Sequence, residues 1–309
     1  MAQTGVVPPT ISITGATGFI GIHLVSRLNA LNWPIRLLVR PRSNRTVKAA
    51  NSTAIVEGSL GDRDAVMALL RNTQTCIHAA GATKSITENG FYTANVIGTY
   101  DIAACAVKAG VKHFVYVSSQ AARAPQLSNY ASSKSISEAA LRSFESEMKI
   151  SIIRPPAVIG SGDPMLNPMF DLIKHGWLPA PSAPKTGGRS FAVISVSDLI
   201  DELVSTIQAG AEAPRLIEPC SLVSTNWTQV ADAASNVVGR EVRLLQIAPA
   251  MLKSLGLLAD GMSHLLRRPM PISLGKVREM LAADWTYDRA SQDAMTLEEI
   301  LRDCLLDQG

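Results

Sequence analysis

Thr14-Gly15-Ala16-Thr17-Gly18-Phe19-Ile20-Gly21 decides the fold of this chain. Thr10-Ile11-Ser12-Ile13 before it is apolar and β-branched, and Phe19, Ile20, Leu24 and Leu28 after it recur at helical spacing. The octapeptide is therefore a strand-to-helix turn. Gly15 permits the sharp turn off the strand, Gly18 lets main-chain N–H groups approach a pyrophosphate, and Gly21 lets the helix pack tightly against the sheet. A phosphate then rests on the helix amino terminus, where unpaired amides and aligned peptide dipoles favour negative charge. Placed at the head of a βαβ series, the loop predicts a dinucleotide site touching Gly15, Thr17, Gly18, Phe19 and Ile20. A purely structural turn is the alternative.

Working outward, strands are expected at 10–14, 35–39, 53–57, 75–79, 113–118 and 149–153, separated by helical patterns such as Val66, Leu69 and Leu70. Alternation of this kind builds a parallel sheet covered by helices. From Pro155 the texture changes, and RPPAVIGSGDPMLNP and WLPAPSAPKTGG, rich in Pro and Gly, are expected to be largely loop. One more strand at 191–197, a helix at about 197–208 and a closing helix at 295–306 follow. The expected fold is α/β: a Rossmann-type doubly wound parallel sheet with a smaller C-terminal α/β substrate-binding lobe. The dinucleotide domain would take 1–160, with 190–209 returning to it, and the lobe 161–189 and 210–309.

A chain of 309 residues, 47% hydrophobic, buries its core without staples. Cys76, Cys105, Cys220 and Cys304 are far apart and lack His partners at ligand spacing, so they predict reduced thiols and no metal site. A net charge of +3 on 29 basic and 26 acidic residues gives no footprint for nucleic acid. MAQTGVVPPT lacks the pattern of a signal peptide, and no stretch of about 18 apolar residues marks a membrane span, so a cytoplasmic protein is expected. The Met- and Leu-rich segment 248–268, ending in Arg267-Arg268, is read either as a helix packed on the lobe or as one facing lipid or an apolar substrate.

Two further stretches carry chemistry. Leu38-Val39-Arg40-Pro41-Arg42-Ser43 ends the second strand without the carboxylate that usually holds an NAD ribose. Arg40, Arg42 and Ser43, two guanidiniums and a hydroxyl, suit a 2′-phosphate instead, so NADP is favoured and NAD remains possible if Arg40 stacks on adenine. Tyr130-Ala131-Ser132-Ser133-Lys134 puts a phenol and an ammonium one helical turn apart. The lysine charge is expected to lower the tyrosine pKa, so that Tyr130 exchanges a proton with a carbonyl or alcohol while hydride moves at the nicotinamide. Of Ser118 and Ser119, Ser119 is expected to supply the hydroxyl that holds the substrate oxygen.

These residues resemble the extended short-chain dehydrogenase/reductases over about 1–205. The likeness rests on TGATGFIG, His78-Ala79-Ala80-Gly81, Asn95-Val96-Ile97-Gly98-Thr99, VYVSS, YASSK and Arg154-Pro155-Pro156-Ala157-Val158-Ile159-Gly160. It implies Ser119, Tyr130 and Lys134 as the catalytic trio, with Lys134 also on the nicotinamide ribose. It further implies Ala79, Ala80 and Gly81 along the ribose-phosphate, Asn95 on the helix behind the site, Pro155 to Val158 beside the nicotinamide, and a homodimer through the helices bearing Asn95 and Tyr130.

Three features depart from the family pattern. Gly58-Ser59-Leu60 stands where the family often has Gly-Asp-Leu, leaving Ser59 and Leu60 for the adenine. Only eleven positions separate Ser119 from Tyr130, which puts sugar specificity in doubt. The end of the second strand is that of NADP-linked reductases. Substrate candidates are Thr83, Lys84 and Arg189, the last either gripping a phosphate or simply solvated. The expectation is an NADP(H)-dependent oxidoreductase interconverting a carbonyl and a secondary alcohol on a small-molecule substrate. A nucleotide-sugar epimerase or dehydratase holding NAD, and a non-catalytic cofactor-binding sensor, are the alternatives.

Overall fold

The computed structural model describes residues 10–41, 50, 52–182, 189–282 and 284–306. The first half is a βαβ series: β1 (Ile11–Thr14), α1 (Phe19–Ala30), β2 (Ile35–Val39), β3 (Thr53–Glu57), α2 (Arg63–Leu70), β4 (Thr75–His78), α3 (Glu88–Phe91), α4 (Gly98–Lys108), β5 (His113–Val117), α5 (Asn129–Leu141) and β6 (Lys149–Ile153). Between α3 and α4 the helix widens into a π-helical turn, Tyr92–Ile97. The second half contains β7 (Ala157–Ile159), α6 (Asn167–Lys174), β8 (Trp177–Pro181), β9 (Ser190–Ser195), α7 (Val196–Ala209), β10 (Leu216–Ile217), β11 (Leu222–Thr225), α8 (Trp227–Val238), β12 (Arg243–Ile247), α9 (Pro249–Leu266), α10 (Leu274–Leu281), β13 (Asp284–Trp285) and α11 (Leu297–Leu305).

Seven strands form one parallel sheet in the order β10-β6-β5-β4-β1-β2-β3. β1, β4 and β5 are buried along their whole length, because helices cover both faces, whereas the edge strands β3 and β10 are partly open. One face packs Ile11, Ile13 and Val115 against α1 and α7; the other packs Cys76, Phe114 and Ile150 against α2, α4 and α5. Strand order reverses between β1 and β4, which opens a crevice at their carboxyl ends.

The residues 190–209 divide. α7 returns to the large sheet, with Leu199, Ile200 and Leu203 in its core. β9 does not: it pairs with β7 and β13 on one edge and β11 on the other, in a second sheet. WLPAP, expected as loop, is strand β8, paired in parallel with β12. Its prolines are tolerated because β12 is its single pairing partner among the described residues, so an outward-facing proline loses no ladder bond. A third core under α6, α8 and α11 closes this smaller region. No helix among the described residues is long and apolar enough to cross a membrane.

Candidate active site

The glycine loop is built by close approach. Gly15 has φ +77°, and a Cβ there would lie 2.6 Å from the Ala79 carbonyl carbon and the Ala80 nitrogen. The loop after β1 is thereby pressed against the loop after β4. A Cβ at Gly21 would overlap the Gly15 carbonyl oxygen, so this glycine packs α1 against its own entry loop rather than against a strand. Gly18 caps α1 without a side-chain bond, and no acidic residue stands in the first turn. That leaves the electropositive helix end open to an anion, so these residues fit a dinucleotide pyrophosphate.

Ser128 starts α5 by accepting from the Ala131 amide, which aims Tyr130 and Lys134 along one face. Lys134 is 5% exposed; its Nζ donates to the Val117 carbonyl at 2.9 Å and lies 4.7 Å from the Tyr116 ring centre. The same ammonium borders Gly81. The Tyr130 phenol lies beside the Ser119 side chain, whose Oγ accepts from the Ala121 amide at 3.2 Å, and Phe91 leans on the tyrosine ring at 6.1 Å. Ser119, Tyr130, Lys134 and Gly81 are therefore gathered at the carboxyl ends of β4 and β5, beside the loop around Gly15.

The expected fall in the Tyr130 pKa is corrected. Burial raises it above the ordinary value of 10.0, and the opposing pull of Lys134 and Ser119 does not overcome that. Burial likewise lowers Lys134, against the attraction of Tyr130 and Glu138. Tyr130 is thus a phenol at neutral pH, suited to giving a proton.

Ser118 turns away from the cleft. Its hydroxyl donates to Glu138 at 2.5 Å, and Glu138 also receives a guanidinium fork from Arg154, with Nη2 at 2.6 Å and Nε at 2.9 Å. Arg154 reaches Glu218 at 3.2 Å as well. This partly buried charge cluster under the helix that bears Tyr130 was not expected from the sequence; its signal was Glu138 continuing the four-residue spacing of Tyr130 and Lys134. His78 was missed too. It is buried between Thr14 and Thr99, bonding their hydroxyls through Nδ1 at 2.6 Å and Nε2 at 3.1 Å, and burial holds its pKa down at about 3.

Asn95 lies on the π-helical turn. Its Oδ1 accepts from the Ala82 amide, while Nδ2 donates to the Ala82 carbonyl and the Ser133 hydroxyl. Both amide hydrogens are used inside the protein, so Asn95 braces the loop after β4 instead of offering a donor to a cofactor. Arg40 is exposed just past β2; Ser43, with Arg42, lies outside the described residues. Ser59 is exposed, whereas Leu60 packs against the core beneath α2 and α4. The Pro155 carbonyl accepts from Gln120, and Val158 is half-buried on β7. Thr83 is exposed and Lys84 half-buried in the loop after β4. Arg189 is neither freely solvated nor poised at the trio. It donates to the carbonyls of Leu281 and Ser182, clasping α10 to the end of β8.

The lobe also forms the wall of the cleft. Ser128 donates to Glu279 of α10, Gln120 donates to the Trp285 carbonyl at 2.8 Å, and Tyr287 donates to the Arg154 carbonyl at 2.6 Å.

A reversed-order parallel sheet, an uncapped glycine-lined helix entrance and a tyrosine–lysine pair with the lysine buried define a nicotinamide-dependent α/β enzyme. The chain belongs to the NAD dependent epimerase/dehydratase family, within the extended short-chain dehydrogenase/reductases; the family pattern matches residues 11–176. It is 35% identical over 281 residues to ceramide reductase of Caulobacter vibrioides (strain NA1000 / CB15N), covering 91% of this chain and 86% of that one. It is 31% identical over 110 residues to 4-hydroxy-2-methyl-3-oxo-4-farnesyl-3,4-dihydroquinoline-1-oxide ketoreductase of Stigmatella aurantiaca, covering 35% and 33%. The fold is similar to that of MoeE5 in complex with UDP-glucuronic acid and NAD, at 18% identity and TM-score 0.73 over 96% of this chain and 97% of that one.

Proposed function

We propose that this enzyme reduces a ketone on a long-chain, lipid-like substrate to a secondary alcohol with NADPH. The observation that carries the reading is the half-buried phenol of Tyr130, set beside Ser119 and one helical turn from the buried Lys134 ammonium, in surroundings that raise its pKa. A reduced nicotinamide bound in the cleft would supply the hydride. Ser119 and Tyr130 then hold the carbonyl oxygen, where negative charge gathers as the carbon is reduced. Tyr130 gives that oxygen its proton, and Lys134 stabilises the tyrosinate left behind until solvent restores it.

Arg40, exposed at the end of β2 in a stretch, Leu38 to Ser43, whose sequence has no carboxylate, supports NADP over NAD. A relative named ceramide reductase and another named as ketoreductase of a farnesylated ring support an apolar substrate. The backbone clasp made by Arg189 argues against its serving as the phosphate grip of a nucleotide-sugar enzyme. A homodimer belongs to the same proposal, since Tyr92, Ile97, Tyr100 and Ile136 expose apolar surface on the helices that would pair.

The test is cofactor consumption at 340 nm with a detergent-dispersed long-chain 3-oxo amide lipid and, separately, with UDP-glucose. NADPH oxidation with the lipid ketone, slower with NADH and absent with the sugar, is expected. Co-purifying, tightly held NAD together with epimerised UDP-glucose would overturn the assignment.

A further inference from the structure

α9 is two-faced. Leu252, Gly256, Ala259 and Ser263 are buried on the side that meets α10, where Gly256 closes to backbone contact with Leu274 and Asp260 accepts from the Leu274 amide at 3.1 Å. A separate stripe of Met251, Leu255, Leu258, Met262, Leu265 and Leu266 faces outward, with Leu258 68% and Leu265 76% exposed. At the helical repeat these six side chains fall within about 100° of the circumference. A continuous apolar band of this kind on a water-facing helix marks a contact surface.

The charges around the stripe identify its occupant. Between 248 and 282 the basic side chains are Lys253, Arg267, Arg268, Lys276 and Arg278, all exposed. The acidic ones are Asp260 and Glu279, and both carboxylates are already bonded inside the α9–α10 pair and to Ser128. Lys253 falls on the opposite side of α9 and Lys276 is ion-paired with Glu279. The charge next to the stripe is therefore that of Arg267 and Arg268, which follow directly on Leu265 and Leu266. An exposed apolar stripe ending in such positive charge is complementary to a bilayer with anionic headgroups. A second copy of the same helix fits poorly, since pairing would bring two sets of these cations together.

We infer that α9 seats the enzyme on an anionic lipid surface, with its stripe in the headgroup–acyl boundary and Arg267 and Arg268 over the phosphates. The inference deepens the lipid-ketone reading and rests on it for its purpose. α10 joins α9 to the rim of the cleft through Glu279 and Ser128, the residue that caps the Tyr130 helix. Docking there would present the cleft mouth to the membrane, where an apolar substrate resides.

Sedimentation of the full-length protein with vesicles tests this without substrate or cofactor, so its outcome is independent of the enzymatic assignment. The wild type is expected to bind equimolar phosphatidylglycerol/phosphatidylcholine vesicles. It should release at high salt and bind pure phosphatidylcholine more weakly, by about fivefold per engaged basic side chain. Leu258→Glu/Leu265→Glu, both at exposed positions, should lose roughly tenfold or more in partitioning while keeping the wild-type melting temperature and turnover of a detergent-dispersed ketone. Arg267→Gln/Arg268→Gln, which leaves the stripe whole, should lose the preference for phosphatidylglycerol. Wild-type protein that stays in the supernatant overturns the inference, as does undiminished binding by the leucine variant. A dimer that this variant converts to monomer, without vesicle binding, assigns the stripe to a second copy and overturns it equally.

Discussion

Lys134 donates to the carbonyl of Val117 at 2.9 Å, which fixes the ammonium of α5 at the carboxyl end of β5 and beside Tyr130. The site is held for function at some expense to the fold, because burial disfavours the charged lysine. Lys134→Met should therefore lower turnover by about 10²- to 10³-fold, yet melt within a few degrees of the wild type. Calorimetry alongside NADPH consumption checks both halves; a large drop in melting temperature would show that the ammonium is structural.

Tyr130 keeps its proton through the neutral range, since burial outweighs its charged neighbour. The profile of kcat/KM for ketone reduction should be flat from about pH 6 to 9 and fall only as the phenol ionises at higher pH. A descending limb with a midpoint between about 6 and 8 would mean that the ammonium governs after all.

Glu138 is the acceptor for Ser118 and for the Arg154 fork, with both charges largely shielded from water. Removing the carboxylate leaves that guanidinium with Glu218 alone. Glu138→Gln should destabilise the protein by about 3 kcal/mol, measured by urea unfolding; a change under about 0.5 kcal/mol would place the cluster outside the stability of the fold.

His78 and His113 make the fold acid-sensitive, because burial holds their pKa values at about 3 and about 4. The unfolded chain binds protons on these rings near pH 6.5 and the folded chain does not, so acid favours unfolding. Their contribution is complete above about pH 6.5 and declines toward pH 4, at up to about 1.4 kcal/mol per pH unit for each ring. His78→Gln should flatten the pH dependence of unfolding by about one proton, as read from melts between pH 6.5 and 4.5. An unchanged slope would show that His78 is not held neutral.

The six strands of the first half lie within a residue of their expected positions, because a parallel sheet covered on both faces requires uninterrupted apolar runs and glycine at its first turn. The tyrosine–lysine pair was equally legible, being four residues apart on one helix. β8 was not, since Pro179 and Pro181 signal loop locally and only pairing with β12 makes them strand. The sign of the Tyr130 shift was illegible for the same reason: sequence shows the neighbouring charge, whereas burial comes from Phe91 and from lobe elements far along the chain. Ser118 and Glu138, twenty positions apart, meet only once β5 and α5 have packed.

The central claim is that Tyr130 delivers the proton, and Tyr130→Phe tests it most directly by removing one oxygen from a ring that stays packed against Phe91. Turnover of the lipid ketone should fall by about 10²- to 10⁴-fold, with NADPH affinity, measured by fluorescence, within about twofold of the wild type. Wild-type turnover by the phenylalanine variant would contradict the mechanism.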